Sequence, residues 1–439
     1  MRLLLAALLS VIPATCIAQD ASRETWLLMV DRWGSAEHQM LTLERRGSTI
    51  EGRLGRWPMT GRRSGDSLTF VATDGGGTAY HYGGIVVDGA FEGSVDGPDD
   101  NDPNRRAVHL VTGRRLPDRP AGPPRRHVFE PTTFSNEFTA ARAPVLVIWP
   151  GDTVATRTID SGGVDEHGVT RALYGNPQTG PFFVATAMPG DVLAVHVRRL
   201  RLNRDYADSL DGIVGRAMGP SLAARAGGLG RRVRWRLDRE RGLASLDDAP
   251  ERLKGFTVPV RPILGGIAVA PDFGFAPASA GDSGRFGGNM DDNEIVEGTT
   301  VYLPVFQPGA LLYVGDGHAA QGDGETTQWA LETSLDVELT VDVIPARPLS
   351  TPRVESDTQI SAIGQAGSLD DAVRSATAGL TQWLEQDYGL DLSEISLVLG
   401  SSVEYRVVTL AGRNVGVAAT LRKSSLAPLS KRLPVPVVR

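Results

Sequence analysis

The sequence predicts a mainly β protein with a minor helical part, an α+β fold in which both domains are built chiefly from strands. Glycine and proline are abundant, with 51 Gly and 28 Pro among 439 residues, about 18% against a usual value near 12%. Short apolar runs separated by turn residues recur from residue 25 to residue 344, as strands and hairpins require. Sustained helical spacing appears only near the end, at residues 369–388.

Length and charge limit the classes of protein to consider. A chain of 439 residues predicts two or three domains at roughly 100–200 residues each. The hydrophobic fraction of 41% is that of a globular protein. The formal net charge of −7 argues against a nucleic-acid-binding protein, for which a basic surface is expected.

Residues 1–18 have the pattern of a secretory signal peptide, with Arg2 followed by an apolar stretch at residues 3–12. This stretch is too short to span a membrane. Cleavage after Ala18 would export the chain, and we expect a bacterial periplasm. Lipid attachment at Cys16 is the alternative, although the residue before it matches lipoprotein processing poorly. Because Cys16 is the only cysteine, the mature chain would have no disulfide and no cysteine ligand.

Residues 20–115 are predicted to form a small β-barrel-like accessory domain, in which no catalytic pattern occurs. Turn signals and recurring glycines punctuate its strands. The predicted strands are residues 25–30, 40–43, 50–54, 67–71, 80–87 and 108–111. A proline-rich linker, residues 116–126, follows.

A second domain is predicted over residues 127–423, with a loose tail at 424–439. Pro-Gly turns beginning at residues 150, 189 and 308 each lead into an apolar strand. Residues 331–344 alternate and predict one half-buried strand. The helical part comprises residues 369–388, which Ser368 caps and Gly389 ends, and a second short helix at 391–399. We therefore expect a sandwich-like or barrel-like β domain with C-terminal helices.

The stretch GDGHAAQGDGE at residues 315–325 is the strongest candidate site. It follows a buried strand, and Asp316 and His318 are two residues apart, so in an extended chain both point to one face. Such a pair is compatible with half of a metal site, with an acid–base pair, or with a solvated turn. Two other glycine-rich loops carry polar side chains of the same kinds: residues 160–168 with Asp160, Asp165, Glu166 and His167, and residues 281–293 with Arg285, Asn289 and Asp291.

Four motifs together resemble the acetamidase/formamidase family over roughly residues 127–423. They are PGD at 150–152 with DSGG at 160–163, NPQTGP at 176–181, GRFGGNMD at 284–291, and GDGHAAQGDGE at 315–325. The N-terminal β domain and the signal lie outside the resemblance. The resemblance implies a β-rich fold and hydrolysis of a small linear amide to a carboxylic acid and ammonia. It also implies a divalent metal such as zinc, and it is compatible with a homo-oligomer.

Given this resemblance, Asp160, Asp316 and His318 are the expected metal ligands. Glu325 is the expected general base, and Asn289 and Gln321 are expected to hold the amide or its oxyanion. Reserve candidates are Glu166, His167 and Asp291, and more weakly His127. His318 favours zinc, but carboxylate-rich loops also suit calcium. Two alternatives remain open: a periplasmic β protein that binds metal or ligand without turnover, and a hydrolase of a larger amide or lactam.

Overall fold

The computed structural model describes residues 22–274 and 277–431. The predicted signal peptide and Cys16 lie outside these residues. The chain divides into two compact units, Met1–Asp118 and Arg119–Arg439. Within the described ranges, no helix is both long and apolar enough to cross a membrane.

The first unit is a closed barrel in which each strand pairs antiparallel with the next and the last pairs with the first. Its interior is apolar and includes Trp26, Phe70 and Phe91. The strands are β1 (Ser22–Arg32), β2 (Ser35–Arg46), β3 (Thr49–Leu54), β4 (Trp57–Ser64), β5 (Ser67–Thr73), β6 (Ala79–Val87), β7 (Ala90–Pro98) and β8 (Arg106–Arg115). The barrel prediction is confirmed, but the sequence analysis missed β4 and β7. Both contain proline and glycine, and their outward positions are polar, so neither has a continuous apolar run.

The second unit is also mainly β, with two large sheets and a few helices. Its strands are β9 (Arg126–Val128), β10 (Glu137–Phe138), β11 (Leu146–Ile148), β12 (Thr153–Arg157), β13 (Gln178–Val184), β14 (Val192–Leu202), β15 (Tyr206–Leu210), β16 (Arg232–Asp238), β17 (Leu243–Leu246), β18 (Thr257–Pro259), β19 (Ile263–Ala268), β20 (Ala278–Ser279), β21 (Ser283–Gly284), β22 (Gly287–Asn289), β23 (Thr300–Pro304), β24 (Leu312–His318), β25 (Glu332–Thr333), β26 (Leu335–Ile344), β27 (Arg353–Glu355), β28 (Gln359–Ala366), β29 (Glu404–Thr409) and β30 (Val415–Arg422). The helices are α1 (Pro220–Ala223), α2 (Leu369–Tyr388), α3 (Leu392–Ser402) and α4 (Lys423–Leu426), with 3₁₀ turns at Gly215–Ala217 and Glu251–Leu253.

The two sheets have different roles. One follows the strand order β29-β30-β28-β27-β23-β14-β26-β12-β9 and carries the helices on its β28–β30 end. The other follows β18-β17-β16-β15-β25-β24-β19-β22-β21, with β13 beside β24 and β11 beside β13. The second sheet holds the candidate site, so we call it the site sheet.

The strand predicted at residues 331–344 is divided in the structure. β25 belongs to the site sheet, whereas β26 belongs to the other sheet. The chain passes between sheets at Ser334, which is buried and donates its hydroxyl to Asn203 Oδ1 at 2.6 Å. Alternation of apolar residues cannot reveal such a crossing, because both parts keep the same period of two. The crossing places Glu332 in the site sheet.

The helical part begins and ends as the sequence predicts for α2. Ser368 Oγ accepts from the Asp371 N–H at 3.2 Å, and Gly389 closes the helix in the left-handed region at φ 70°. A capping box between Asp391 and Glu394 starts α3. The segment predicted to be loose from residue 424 begins instead within α4, whose Leu426 is buried.

The packing of α2 on β28 depends on Gly364 and gives a test of the fold. A Cβ at Gly364 would lie 2.0 Å from the Ala372 carbonyl oxygen and 2.4 Å from the Ala376 nitrogen. We expect Gly364→Ala to lower the free energy of unfolding by about 1–3 kcal/mol or more, measured by denaturant titration of the full chain. Gly367→Ala is the matched control, because nothing lies within 4 Å of a Cβ there. Equal stabilities of the two variants would contradict this packing.

Candidate active site

The backbone of β24 positions the two residues of the predicted D-x-H pair. One edge of β24 pairs with β19. The other edge pairs with β13 as far as Gly315 and with β25 from Gly317 onward. Asp316 lies at this change of partner, and its φ is 54°. Asp316 Oδ2 and His318 Nε2 lie 3.4 Å apart, so the structure brings the two side chains together.

Four carboxyl groups surround the His318 imidazole. They form two overlapping groups that share His318: Asp291 with Glu325, and Asp316 with Glu332. In each group one potential ligand atom per residue lies within 4.8 Å of the others. Glu332 faces His318 directly across β24 and β25, with Oε1 3.3 Å from Nε2. All five side chains are buried.

Several polar atoms of this cluster have no hydrogen-bond partner among the described residues. They are both carboxylate oxygens of Asp316, Oδ1 of Asp291, Oε2 of Glu332 and Nε2 of His318. Buried polar atoms are almost always hydrogen-bonded. A concentration of unpaired acceptor atoms in one place therefore indicates a site built for a bound cation.

Gln321 orients the His318 ring. Its Nε2 donates to the carbonyl oxygens of Asp291 at 2.6 Å and Val408 at 3.3 Å, which directs its Oε1 toward His318. His318 Nδ1 lies 2.8 Å from this oxygen and must act as the donor. The other ring nitrogen, Nε2, then faces Asp316 and Glu332. This arrangement is typical of a histidine ligand held by an outer hydrogen bond.

Burial and mutual repulsion shift the pKa values of the cluster. Burial raises the pKa of Asp291 well above its usual value, and Asp316 raises it further. Burial likewise raises the pKa of Glu325, and Asp291 adds to this effect. Burial also raises the pKa of Glu332, with His318 opposing the rise. Burial alone would lower the pKa of His318, but Glu332 and Asp316 together raise it well above its ordinary value.

Three of these carboxylates lie on strained backbone. Asp291, Asp316 and Glu325 have φ values of 48°, 54° and 40°, in a region that residues other than glycine rarely adopt. Asn176 nearby has φ 59°. Such conformations cost of order 1–3 kcal/mol each and concentrate at functional sites. Their coincidence on one cluster supports a functional role for it.

A cavity of about 280 Å³ opens beside the cluster. Glu325, Glu332 and Asn289 form part of its wall. The aromatic rings of Tyr174 and Trp329 also line it, with their centroids 5.9 Å apart. A ligand in this cavity would therefore meet carboxyl groups on one side and aromatic rings on another.

Asp160, expected to be a metal ligand, lies outside both groups. Its Oδ1 accepts from the Val164 N–H at 2.8 Å, and its Oδ2 accepts from the Arg204 guanidinium at 2.8 Å. Arg204 is itself buried, so this ion pair stabilises the 160–168 loop. The third residue beside Asp316 and His318 is Glu332, where the sequence analysis expected Asp160.

The other candidates are divided between the site and the scaffold. Asn289 Nδ2 donates to Asp291 Oδ2 at 2.7 Å, and its Oδ1 accepts from Asn176 at 2.7 Å. Both Asn289 and Gln321 therefore hold other site residues in place. Of the reserves, Asp291 lies in the cluster, whereas Glu166 pairs with Arg157. His167 has an exposed side chain, and His127 Nε2 lies 2.8 Å from Asp152 Oδ2.

Sequence reasoning missed Glu332. It lies between Leu331 and Thr333 in a stretch assigned wholly to a half-buried strand. The available signal was a carboxylate at the start of an apolar strand. Its importance depends on pairing with His318 across two strands, which the order of residues does not reveal.

The residues present fit a divalent metal. Asp316, His318 and Glu332 offer two carboxylates and one imidazole, an ordinary donor set for zinc. Their free acceptor atoms converge, and a cation would offset the repulsion among the buried carboxylates. Asp291, His318 and Glu325 could also hold a metal, but the group of Asp316, His318 and Glu332 has more carboxylate oxygens without a partner.

Gly265 gives a test of this geometry. It lies beside both carboxylates, and a Cβ there would be 2.6 Å from Asp291 Oδ1 and 2.6 Å from Asp316 Oδ2. We expect Gly265→Ala to displace both groups and weaken zinc binding by about 10-fold or more, measured by titration of chelator-treated protein. Gly322→Ala is the control, because a Cβ there has no neighbour within 4 Å. Unchanged zinc affinity in Gly265→Ala would contradict the assignment.

Comparison with known proteins finds similarity to one family. Residues 279–359 match the model of the Acetamidase/Formamidase family. The chain is 34% identical to an acetamidase from Mycolicibacterium smegmatis over 142 residues, which span 30% of this chain and 31% of that protein. It is 54% identical to a putative formamidase from Schizosaccharomyces pombe over 39 residues, 9% of this chain and 10% of that protein.

Solved structures match over a longer range. A predicted acetamidase/formamidase from Thermoanaerobacter tengcongensis has a TM-score of 0.60 and 27% identity, over 70% of this chain and 98% of that one. An acetamidase from Yersinia enterocolitica has a TM-score of 0.60 and 29% identity, over 69% of this chain and 93% of that one. The matched segment of residues 279–359 contains Asp291, His318, Glu325 and Glu332. Over these ranges the chain is similar to proteins of the acetamidase/formamidase family.

Proposed function

We propose that this chain is an amidohydrolase that cleaves the carbon–nitrogen bond of a linear amide, releasing ammonia and a carboxylic acid. The observation that carries the proposal is the buried cluster of four carboxyl groups around His318, with free acceptor atoms, beside the cavity. Similarity to the acetamidase/formamidase family supports the reaction class. The aligned curated relatives are matched over a third of their length or less, so the substrate is inferred from the site as well.

A divalent metal held by Asp316, His318 and Glu332 belongs to this proposal. When bound, such an ion lowers the pKa of a water molecule and polarises a carbonyl oxygen. His318 favours zinc or another transition metal over calcium, which prefers oxygen ligands alone. Gln321 keeps His318 Nε2 directed at the two carboxylates, because the side-chain amide of Gln321 is itself fixed by hydrogen bonds to two backbone carbonyls.

Glu325 is the residue that we propose moves the proton. It lines the cavity, and Thr409 Oγ1 holds its Oε2 at 2.9 Å. The Glu325 carboxylate accepts a proton from the attacking water as the water oxygen bonds to the amide carbon. It then donates this proton to the nitrogen as the carbon–nitrogen bond breaks. Burial raises the pKa of Glu325, which makes its carboxylate a stronger base.

The size of the cavity favours a second candidate substrate class. A water needs about 10–15 Å³ of such a volume, so about 280 Å³ exceeds what formamide or acetamide requires. Tyr174 and Trp329 offer apolar surface to a longer acyl group. A larger linear amide, or a lactam, is therefore included among the substrates to test.

The decisive experiment is ammonia release from a panel of amides by the purified full-length protein, before and after chelation. We expect release from at least one linear amide, loss of release with a chelator, and recovery with zinc. The panel runs from formamide and acetamide to aromatic amides and a lactam, the last followed by ring opening. Metal binding without turnover of any compound would favour a binding protein instead.

His318→Ala is expected to lose both bound metal and ammonia release while keeping the fold. The loss follows because no other imidazole lies among the potential ligand groups of the described chain. Metal content by elemental analysis and circular dichroism report on the two effects separately. His167→Ala is the matched control, since its side chain is exposed. Full turnover by His318→Ala would rule out this assignment.

A pair of isosteric variants separates the proton-carrying role from metal binding. Glu325→Gln is expected to retain metal and lower kcat by about 10²–10⁴-fold, because an amide cannot accept the proton. Glu332→Gln is expected to lose metal instead. If Glu325→Gln lost metal and Glu332→Gln retained it, the ligand group would be Asp291, His318 and Glu325.

A further inference from the structure

A second cavity lies between α2 and the sheet below it. Its volume is about 60 Å³. Its wall shares no residue with the cavity of the candidate active site. The lining residues are Val192, Tyr302, Ile344, Arg347, Leu349, Arg353, Glu355, Trp383 and Asp387.

Arg353 is the unusual member of this wall. It is 3% exposed, and arginine is almost never fully buried unless it is paired with an anion. Among the described residues, its hydrogen bonds run from Nη2 to the amide oxygens of Gln386 at 2.9 Å and Gln382 at 3.4 Å. Its Nε is buried without a partner. No carboxylate of the described chain lies within 4.0 Å of its guanidinium.

The two carboxylates of the cavity wall have other cationic partners. Glu355 Oε1 lies 2.7 Å from Lys423 Nζ, and Glu355 Oε2 accepts from the Tyr302 hydroxyl at 2.8 Å. Asp387 forms an ion pair with Arg347 and accepts from Trp383 Nε1 at 3.0 Å. With these pairs accounted for, Arg353 contributes an uncompensated positive charge to the cavity.

The Trp383 ring offsets the positive charge of Arg353 only in part. The guanidinium carbon lies 4.9 Å from the ring centroid, a cation–π contact worth about 0.5–2 kcal/mol. Burial, with a smaller contribution from the nearby Arg347, lowers the pKa of Arg353 to about 9. A buried guanidinium with an unpartnered N–H beside a cavity is the chemistry of an anion-binding site.

We propose that this cavity binds a small planar monoanion, of the carboxylate class, against the Arg353 guanidinium. At about 10–15 Å³ per water, the cavity has room for a few waters or one anion of three or four non-hydrogen atoms. Formate and acetate meet these limits, and so does an inorganic planar anion such as nitrate. Gln382, Trp383 and Gln386 lie on α2, so an occupied site would join this helix to β27. The site is independent of the proposed amide hydrolysis.

The test is the thermal unfolding of the full-length chain in sodium formate, acetate or nitrate, each against sodium chloride at the same ionic strength. A ligand that binds only the folded chain raises Tm with its concentration. We expect formate to raise Tm of the wild type by about 2 °C or more at saturation. Arg353→Met should lose this rise, whereas Arg422→Gln should keep it. Arg422 is the control, because it is exposed and paired with Glu404.

A second variant leaves the guanidinium intact and fills the cavity. Leu349→Trp enlarges a wall residue, so it should also lose the formate-dependent rise even if Arg353→Met does not fold. A stronger response to formate and acetate than to nitrate would assign the ligand as a carboxylate. An equal response would assign any small planar anion to the same site. No rise in the wild type, or an equal rise in the wild type and the folded variants, would overturn the proposal.

Discussion

The structure of the second unit depends on burying four carboxyl groups around one imidazole. Like charges in a region that water does not reach repel one another strongly, so the chain must supply opposing groups, hold protons, or bind a cation. Here His318 is the only basic side chain of the cluster, and the free acceptor atoms outnumber its donors. Burial, together with this imbalance, raises the pKa values of Asp291 and Glu325. The imbalance also makes the cluster suited to a metal.

The sheet is built so that these groups can approach one another. β24 changes its pairing partner at Asp316, and glycine stands opposite at position 265, where a side chain would collide with two carboxylates. Asn289 and Gln321 use their amide groups to hold Asp291 and His318. Positive φ values at three of the carboxylates show that the surrounding sheet maintains local strain. The site is therefore preorganised by the rigid strands on either side of it.

Two buried arginines of the second unit have different kinds of partner. Arg204 is buried against Asp160 and so completes a closed ion pair in the scaffold. Arg353 is buried with only amide oxygens and an aromatic ring beside it, next to a cavity. Burial alone therefore does not identify a charged side chain as functional. The groups that contact the charge must be considered as well. Asp160 illustrates the same point. Its carboxylate is of a type that binds metals and it lies in a glycine-rich loop, but it forms an ion pair with Arg204 that stabilises the fold.

The sequence by itself determined the elements whose signals are local. Capping residues and helical spacing placed α2, and glycine-rich turns with short apolar runs indicated a barrel followed by a larger β domain. Four motifs indicated the resemblance to the acetamidase/formamidase family, and the D-x-H spacing located Asp316 and His318. Only the tertiary structure decided which distant groups join them. Glu332 reaches His318 because the chain changes sheets at Ser334, and Asp160 pairs with Arg204, which lies in the connection between β14 and β15. Both outcomes depend on contacts between residues far apart in the chain, which periodicity and spacing do not encode.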